Sequence, residues 1–210
     1  MAEYPLFGVL GGTFDPIHFG HLRPALELLQ RLDMARIHFI PNRHPPHRQQ
    51  PWLDEVRRYA LLKSAIRDVP GFVADDRELK REGASYMVDT LSSLREDFPG
   101  SRLCLIMGLD AYAGFIRWHR WQDILDLTHL LVMTRPGVCW PAFGEYGSAM
   151  DRRVVEDASE LRRAPAGRIL LQSVTQFDIS ATYIRQELQA GRSIRFLVPE
   201  SVRQALEKQI

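Results

Sequence analysis

The chain is poor in cysteine, in net charge and in long apolar runs, and each shortage removes a class of protein. Only two cysteines stand among 210 residues, Cys104 inside an apolar run and Cys139 in a predicted loop; that is neither zinc-ligand spacing nor a disulfide framework. Free thiols in a reducing cytoplasm are the expectation. Lysine plus arginine, 27, nearly balances aspartate plus glutamate, 26, for a formal charge of +1, so the composition carries no general attraction to nucleic acid or anionic membrane. No window approaches the roughly 18 uninterrupted apolar residues of a membrane span, and the first residues lack the basic-then-apolar order of an export signal. Internal repeats and low-complexity tracts are missing too. With 45% hydrophobic and 25% charged residues, the chain reads as globular and long enough for a substantial core. One domain is expected over 1–210, with a core over 1–175 and a C-terminal helical segment over 176–210.

Short apolar runs alternate with helical periodicity. Phe7 to Leu10, Ile37 to Ile40, Phe72 to Ala74, Leu103 to Met107, Leu130 to Met133 and Ile169 to Leu171 read as strands. Between them, Gly20 onward (Leu22, Ala25, Leu26, Leu29, Leu32), Asp54 to Asp68 (Val56, Tyr59, Leu62 and Ile66 on one stripe) and Val88 to Glu96 read as helices. Such a pattern predicts an α/β fold, a doubly wound parallel sheet of about five or six strands covered by helices on both faces. Residues 136–149, rich in glycine, proline and aromatics, read as an exposed loop, and 150–163 as a charged helix facing solvent on most sides.

Behind the first strand stands Gly11-Gly12-Thr13-Phe14-Asp15-Pro16-Ile17-His18-Phe19-Gly20-His21-Leu22. The glycine pair permits a tight turn and close backbone approach to a ligand. A helix opening there presents unpaired N–H groups and a positive dipole end to an anion, with His18 and His21 on one face. A Walker loop would need Lys-Ser or Lys-Thr after its last glycine, and a dinucleotide fingerprint would need Gly-x-Gly-x-x-Gly with an acidic residue about 20 positions on. Neither is present. The loop Pro41-Asn42-Arg43-His44-Pro45-Pro46-His47-Arg48 is stiff and basic and should emerge at the same sheet edge, where it reads as a phosphate clamp or a plain connector. A zinc site from His44 and His47 lacks further ligands nearby.

The string from Gly11 to His21 resembles the signature of the nucleotidyltransferase superfamily that carries His-x-Gly-His at the start of its first helix. Far downstream, Ile179-Ser180-Ala181-Thr182-Tyr183-Ile184-Arg185 is similar to that superfamily's C-terminal Ile-Ser-x-Thr-x-Ile-Arg segment, and a Rossmann-like sheet is implied. Ser85-Tyr86-Met87-Val88-Asp89-Thr90-Leu91, Gly108-Leu109-Asp110 followed by Trp118, the proline-rich loop and Arg135-Pro136-Gly137 resemble the bacterial nicotinate-mononucleotide adenylyltransferases over nearly the whole chain. Two positions depart from the family pattern: Met87 replaces the common threonine, and Ala181 the more usual serine.

The resemblance implies adenylyl transfer from ATP to nicotinate mononucleotide, giving nicotinate adenine dinucleotide and pyrophosphate in NAD biosynthesis, with Mg2+ bound through substrate phosphates. The acceptor's phosphate is already a nucleophile near neutral pH, so charge stabilisers should outnumber acids and bases. His18, His21, Ser180 and Arg185 take the catalytic roles. ATP falls to Gly11, Gly12, the backbone N–H groups near Thr13 and Phe14, Gly20, Gly108, Asp110, Ile179 and Thr182, with Asp110 on a ribose hydroxyl. The acceptor falls to Asn42, His47, Arg48, Tyr86, Met87, Trp118 and Arg135. Without the resemblance, Trp118 reads as well as a core anchor and Arg135 as a surface ion pair. Expected partners are ATP and nicotinate mononucleotide, with no nucleic acid or membrane and a homo-oligomer left open. Other acceptors within the superfamily, or a nucleotide-binding regulator, are the competing readings.

Overall fold

The computed structural model describes residues 4–43, 50–134 and 147–208. The first half runs β1 (Leu6–Gly12), α1 (Phe19–Arg31), β2 (Arg36–Pro41), α2 (Glu55–Ile66), β3 (Phe72–Ala74), α3 (Arg77–Lys80), α4 (Met87–Asp97) and β4 (Arg102–Gly108). The second runs α5 (Leu109–Ala113), a 3-10 turn at Phe115–Arg117, α6 (Trp121–Leu127), β5 (His129–Thr134), α7 (Gly147–Asp151), β6 (Val154–Val155), α8 (Ser159–Arg163), β7 (Ile169–Ser173), α9 (Ala181–Gln189) and α10 (Glu200–Glu207).

Seven strands form one sheet in the order β3-β2-β1-β4-β5-β7-β6, and every pairing is parallel. Strands hydrophobic on both faces need cover on both. Leu10, Ile106 and Leu170 point to one core with Leu28 of α1, Leu62 of α2, Ile184 of α9 and Val202 of α10. Val9, Leu105 and Met107 point to the other, with Leu91 of α4 and Ile124 of α6. Full burial of a side chain such as Ile184 or Leu188 is worth about 2 kcal/mol, which docks α9 on the sheet although it lies far along the chain.

Several expectations need correction. The strand count is seven, one more than the apolar runs showed, because 150–163 is not a solvent-facing helix. Met150 and Leu161 are fully buried, and between them Val154 and Val155 add an edge strand along Ile169 and Leu170. A charged composition hid two anchors and a two-residue strand. In α2, capped by the Asp54 carboxylate on the Arg57 N–H at 2.8 Å, the buried face is Arg58, Leu61, Leu62 and Ile66; Val56 is 74% exposed. Within the expected loop 136–149, residues 136–146 lie outside the described residues and 147–149 open α7.

The strand order sets the location of any ligand. Chain connections leave β1 toward β2 on one side, while β4 occupies the other. The crevice beyond the carboxyl ends of β1 and β4 is therefore a topological switch point, the favoured ligand position in such sheets. Gly12 and Gly108 end those two strands.

Candidate active site

A cleft of about 810 Å³ opens at this switch point. Gly11, Gly12 and Thr13 enter it from β1, His21 from α1 and Asn42 from the end of β2. Tyr86 and Met87 enter from the start of α4, Gly108 and Asp110 from the end of β4, and Trp118 from the turn beyond. The glycines have distinct reasons. A Cβ on Gly11 would sit 2.7 Å from the Met87 methyl, whereas at Gly108 it would meet nothing within 4 Å; the first keeps strand and α4 in close approach, the second leaves the cleft floor open. Phe14 holds a left-handed φ of 49° and sends its ring into the core, so only its backbone is available to a ligand.

His18 is the N-cap residue of α1, with an extended backbone and no side-chain cap bond. Its ring centre lies 3.7 Å from that of His21, the two planes tilted by 33°, and Phe14 meets His21 edge-on at 5.2 Å. Burial pushes the His18 imidazole down to about 4; burial, together with the neighbouring His18, holds His21 well below the ordinary histidine value. Both rings are therefore neutral at pH 7. Their Nδ1 atoms are buried without a hydrogen-bond partner among the described residues, as are Thr13 Oγ1 and Asn42 Oδ1. Since buried polar atoms in folded proteins are nearly always paired, this cluster marks where a polar ligand belongs.

The C-terminal motif reaches the same place by a side route. A Cβ on Gly20 would come within 2.9 Å of the His18 ring and 3.2 Å of the Ile179 carbonyl, so Ile179 packs beside His18. Arg185 donates from Nη1 to the Asp15 carbonyl at 2.7 Å and from Nη2 to Thr182 Oγ1 at 3.1 Å. The Asp15 carboxylate also accepts the N–H groups of Trp52 and Leu53. Ser180 caps α9, accepting from the Tyr183 N–H at 3.1 Å. Glu27 of α1, buried, accepts the Thr175 N–H at 3.1 Å; bonding to Thr175, with Arg23 and Arg31 adding, draws its carboxyl down to about 2. His18, Gly20, Ile179, Ser180, Thr182 and Arg185 thus stand behind and beside the glycine turn, outside the lining of the cleft itself. His47, Arg48 and Arg135 lie outside the described residues.

Four residues of the site escaped sequence reasoning. Arg58, 1% exposed, donates to the carbonyls of Thr13 at 2.7 Å, Asn42 at 2.8 Å and Leu53 at 3.3 Å, tying the ends of β1 and β2 together. Its signal was present: a cation three and four residues before Leu61 and Leu62, on the apolar stripe of an amphipathic helix. Asp15 had no reading of its own within the glycine motif. His119 stacks on Tyr86 with ring centres 4.3 Å apart at the cleft mouth. Glu78, 3% exposed, lines the cleft from a helix of one turn; nothing in the sequence distinguished it from its charged neighbours. Among the described residues, no three His, Cys, Asp or Glu side chains are grouped to hold a metal ion.

A parallel sheet with its ligand space at the switch point and an imidazole pair at the mouth of its first helix is the architecture of a nucleotidyltransferase. The cytidylyltransferase-like family model matches residues 9–187. The sequence is 47% identical over 197 residues to a protein of Halorhodospira halophila described as a probable nicotinate-nucleotide adenylyltransferase, covering 94% of this chain and 90% of that one. A protein of Aeromonas hydrophila with the same description is 43% identical, covering 98% and 96%. The chain belongs to the nicotinate-nucleotide adenylyltransferase family. Its fold matches that of the Plasmodium falciparum nicotinic acid mononucleotide adenylyltransferase complexed with NaAD, at a TM-score of 0.71 and 15% identity, over 98% of this chain and 96% of that one.

Proposed function

We propose that the protein transfers the adenylyl group of ATP to nicotinate mononucleotide, forming nicotinate adenine dinucleotide and pyrophosphate in the cytoplasmic synthesis of NAD. The observation that carries this reading is a single cleft with two long helices, α1 and α4, opening on it from different sides. One N-terminus suits polyphosphate, the other the ring carboxylate of the acceptor.

An oxygen of the acceptor's phosphate attacks the α-phosphorus of ATP. The new P–O bond forms as the bond to pyrophosphate breaks, and the leaving group takes the electron pair. Positioning and charge neutralisation dominate such a transfer. His18 and His21, neutral before binding, gain protons as the polyphosphate arrives and then meet its charge as cations. Arg185 spends Nη1 and one N–H of Nη2 on Asp15 and Thr182, which leaves donors for a phosphate from a guanidinium already aligned. Thr13 Oγ1 and Asn42 Oδ1 offer the cleft unpartnered oxygens, Asp110 suits a ribose hydroxyl and Trp118 the nicotinate ring. Magnesium would come with ATP as part of the substrate and would supply positive charge against the polyphosphate.

α4 opens at Tyr86 without a side-chain cap. Its first N–H groups lack helical partners, and a carboxylate satisfies them where an amide's NH2 would oppose them. Met87 in place of threonine leaves this backbone contact intact. The test is pyrophosphate release by the purified protein with MgATP and each of nicotinate mononucleotide, its amide analogue and phosphopantetheine. The acid mononucleotide is expected to give the highest kcat/KM; preference for phosphopantetheine would overturn the reading.

A further inference from the structure

We propose that Glu78 is a positioning residue that fixes the turn from Ser85 to Met87 and thereby sets the discrimination between carboxylate and amide acceptors. This rests on the reading of the α4 end of the cleft as the acceptor site. Glu78 is a buried carboxylate on the cleft wall with no ion pair within 4 Å among the described residues, and the transfer reaction gives it no proton to move. What it has is hydroxyls.

The Thr90 hydroxyl donates to Glu78 Oε1 at 2.6 Å, and the Ser85 hydroxyl bonds the same carboxylate. The direction of each bond is fixed by its other partner. Ser85 Oγ accepts the Arg43 N–H at 3.1 Å, so its one hydrogen is free only for Glu78. Thr90 Oγ1 accepts from Arg81 Nη2 at 3.2 Å, and that guanidinium also reaches the Tyr86 carbonyl at 3.4 Å. A second tie, from Arg43 Nη1 to the Arg81 carbonyl at 3.1 Å, closes the set. Glu78 is therefore the acceptor on which the end of β2, the turn before α4 and the first turn of α4 all converge. Both hydroxyls need an acceptor here, and a carboxylate is an acceptor on each of its oxygens.

The N–H groups that face the acceptor belong to the segment these bonds hold. Discrimination between two ligands of one shape, differing in donor and acceptor pattern, depends on donors staying at fixed positions. Loss of the Glu78 anchor releases the segment while leaving the phosphate end, held by Arg58 and Asp15, as it was.

The experiment compares the wild type with Glu78→Gln, Thr90→Val and Thr90→Ser in initial rates with nicotinate mononucleotide and its amide at saturating MgATP, and with MgATP varied at saturating acid mononucleotide. The glutamine variant keeps the shape but exchanges one of the two acceptor oxygens, and the negative charge, for a donor; Thr90→Val removes one hydroxyl; Thr90→Ser keeps it. For Glu78→Gln we expect the KM for the acid acceptor to rise about tenfold and the acid-to-amide ratio of kcat/KM to fall about tenfold, with kcat and the KM for ATP within about threefold. Thr90→Val moves the same way, and Thr90→Ser retains the wild-type ratio. Should Glu78→Gln not fold, the Thr90 pair decides. An unchanged acid KM and ratio in variants that melt like the wild type, or equal losses in every constant, overturns the proposal while leaving the adenylyl transfer standing. A wild type that turns over neither pyridine mononucleotide overturns both.

Discussion

Two imidazoles with ring centres 3.7 Å apart in a buried pocket cannot both be charged until something anionic arrives. With the polyphosphate on this pair, as proposed, their depressed affinity for protons makes nucleotide binding a proton-linked event: the anion should raise both, so ATP binding near pH 7 should take protons from solvent. Calorimetric titration of MgATP in two buffers of different ionisation enthalpy should give different apparent enthalpies, with net proton uptake; identical enthalpies would mean that the pair stays neutral in the complex. His21→Ala should lower kcat by about two to four decades with a smaller effect on ATP binding, since the ring acts on charge that develops in the transfer. Nearly normal turnover would remove His21 from the mechanism. Trp118, half-buried with its ring 5.7 Å from that of Phe115, presents its remaining face to the cleft. Trp118→Ala should raise chiefly the KM for the mononucleotide, as read in steady-state kinetics, and an unchanged constant would return the residue to the core.

At the scale of elements, α2 does more than cover the sheet. Its Arg58 joins carbonyls at the ends of two strands and at its own approach loop, so the glycine turn inherits the rigidity of a helix. Arg58→Met should cost about 3 kcal/mol of stability in urea unfolding, from losing charged hydrogen bonds and stranding the Thr13 and Asn42 carbonyls. Arg58→Lys keeps the charge but cannot span three carbonyls; it should fold and show a raised KM for ATP, and an unaltered constant would make the clamp purely structural. Sequence periodicity predicted β1, β2, β4 and β5 because each is a continuous apolar run, and α1 and α4 because their stripes repeat. It misplaced the buried face of α2, where an arginine sits at a core position, and missed β6, where two valines have too little length for any period to show. The glycine turn, both histidines and the cleft residues Tyr86 and Trp118 were visible as motifs. Arg58 showed only as a cation on an apolar stripe, with no hint of its role, and Asp15 and Glu78 did not stand out at all, because each acts through hydrogen bonds to backbone or hydroxyl groups distant in sequence. Such partners leave no trace in local spacing.

Taken as a whole, the molecule stores neutral histidines in both halves. His129 accepts the Arg168 N–H on Nδ1 at 3.1 Å and reaches the Ala164 carbonyl with Nε2 at 3.2 Å, which fixes the Nε2–H tautomer; burial pushes this ring down to about 4, as it does His18. In the unfolded chain these groups take up protons near 6.5. Between about pH 6.5 and 4 the unfolded state therefore binds more protons than the folded one, and stability falls as pH falls. Glu78, its carboxyl raised by burial, opposes this by taking its proton earlier when folded. Glu27, lowered to about 2, adds to the loss only below about pH 4.5. For His18 and His129 the linkage gives about 2 kcal/mol each by pH 5, a fall in Tm on the order of 10 °C from neutrality. Thermal unfolding followed by circular dichroism should show that decline in the ligand-free protein. His129→Gln, which offers the same donor and acceptor without titrating, should make it shallower by about a third, since His18 and His21 still titrate. A Tm that is flat from pH 7 to pH 5 would mean that these imidazoles already carry protons in the native state, and with that the neutral pair at the nucleotide site would go as well.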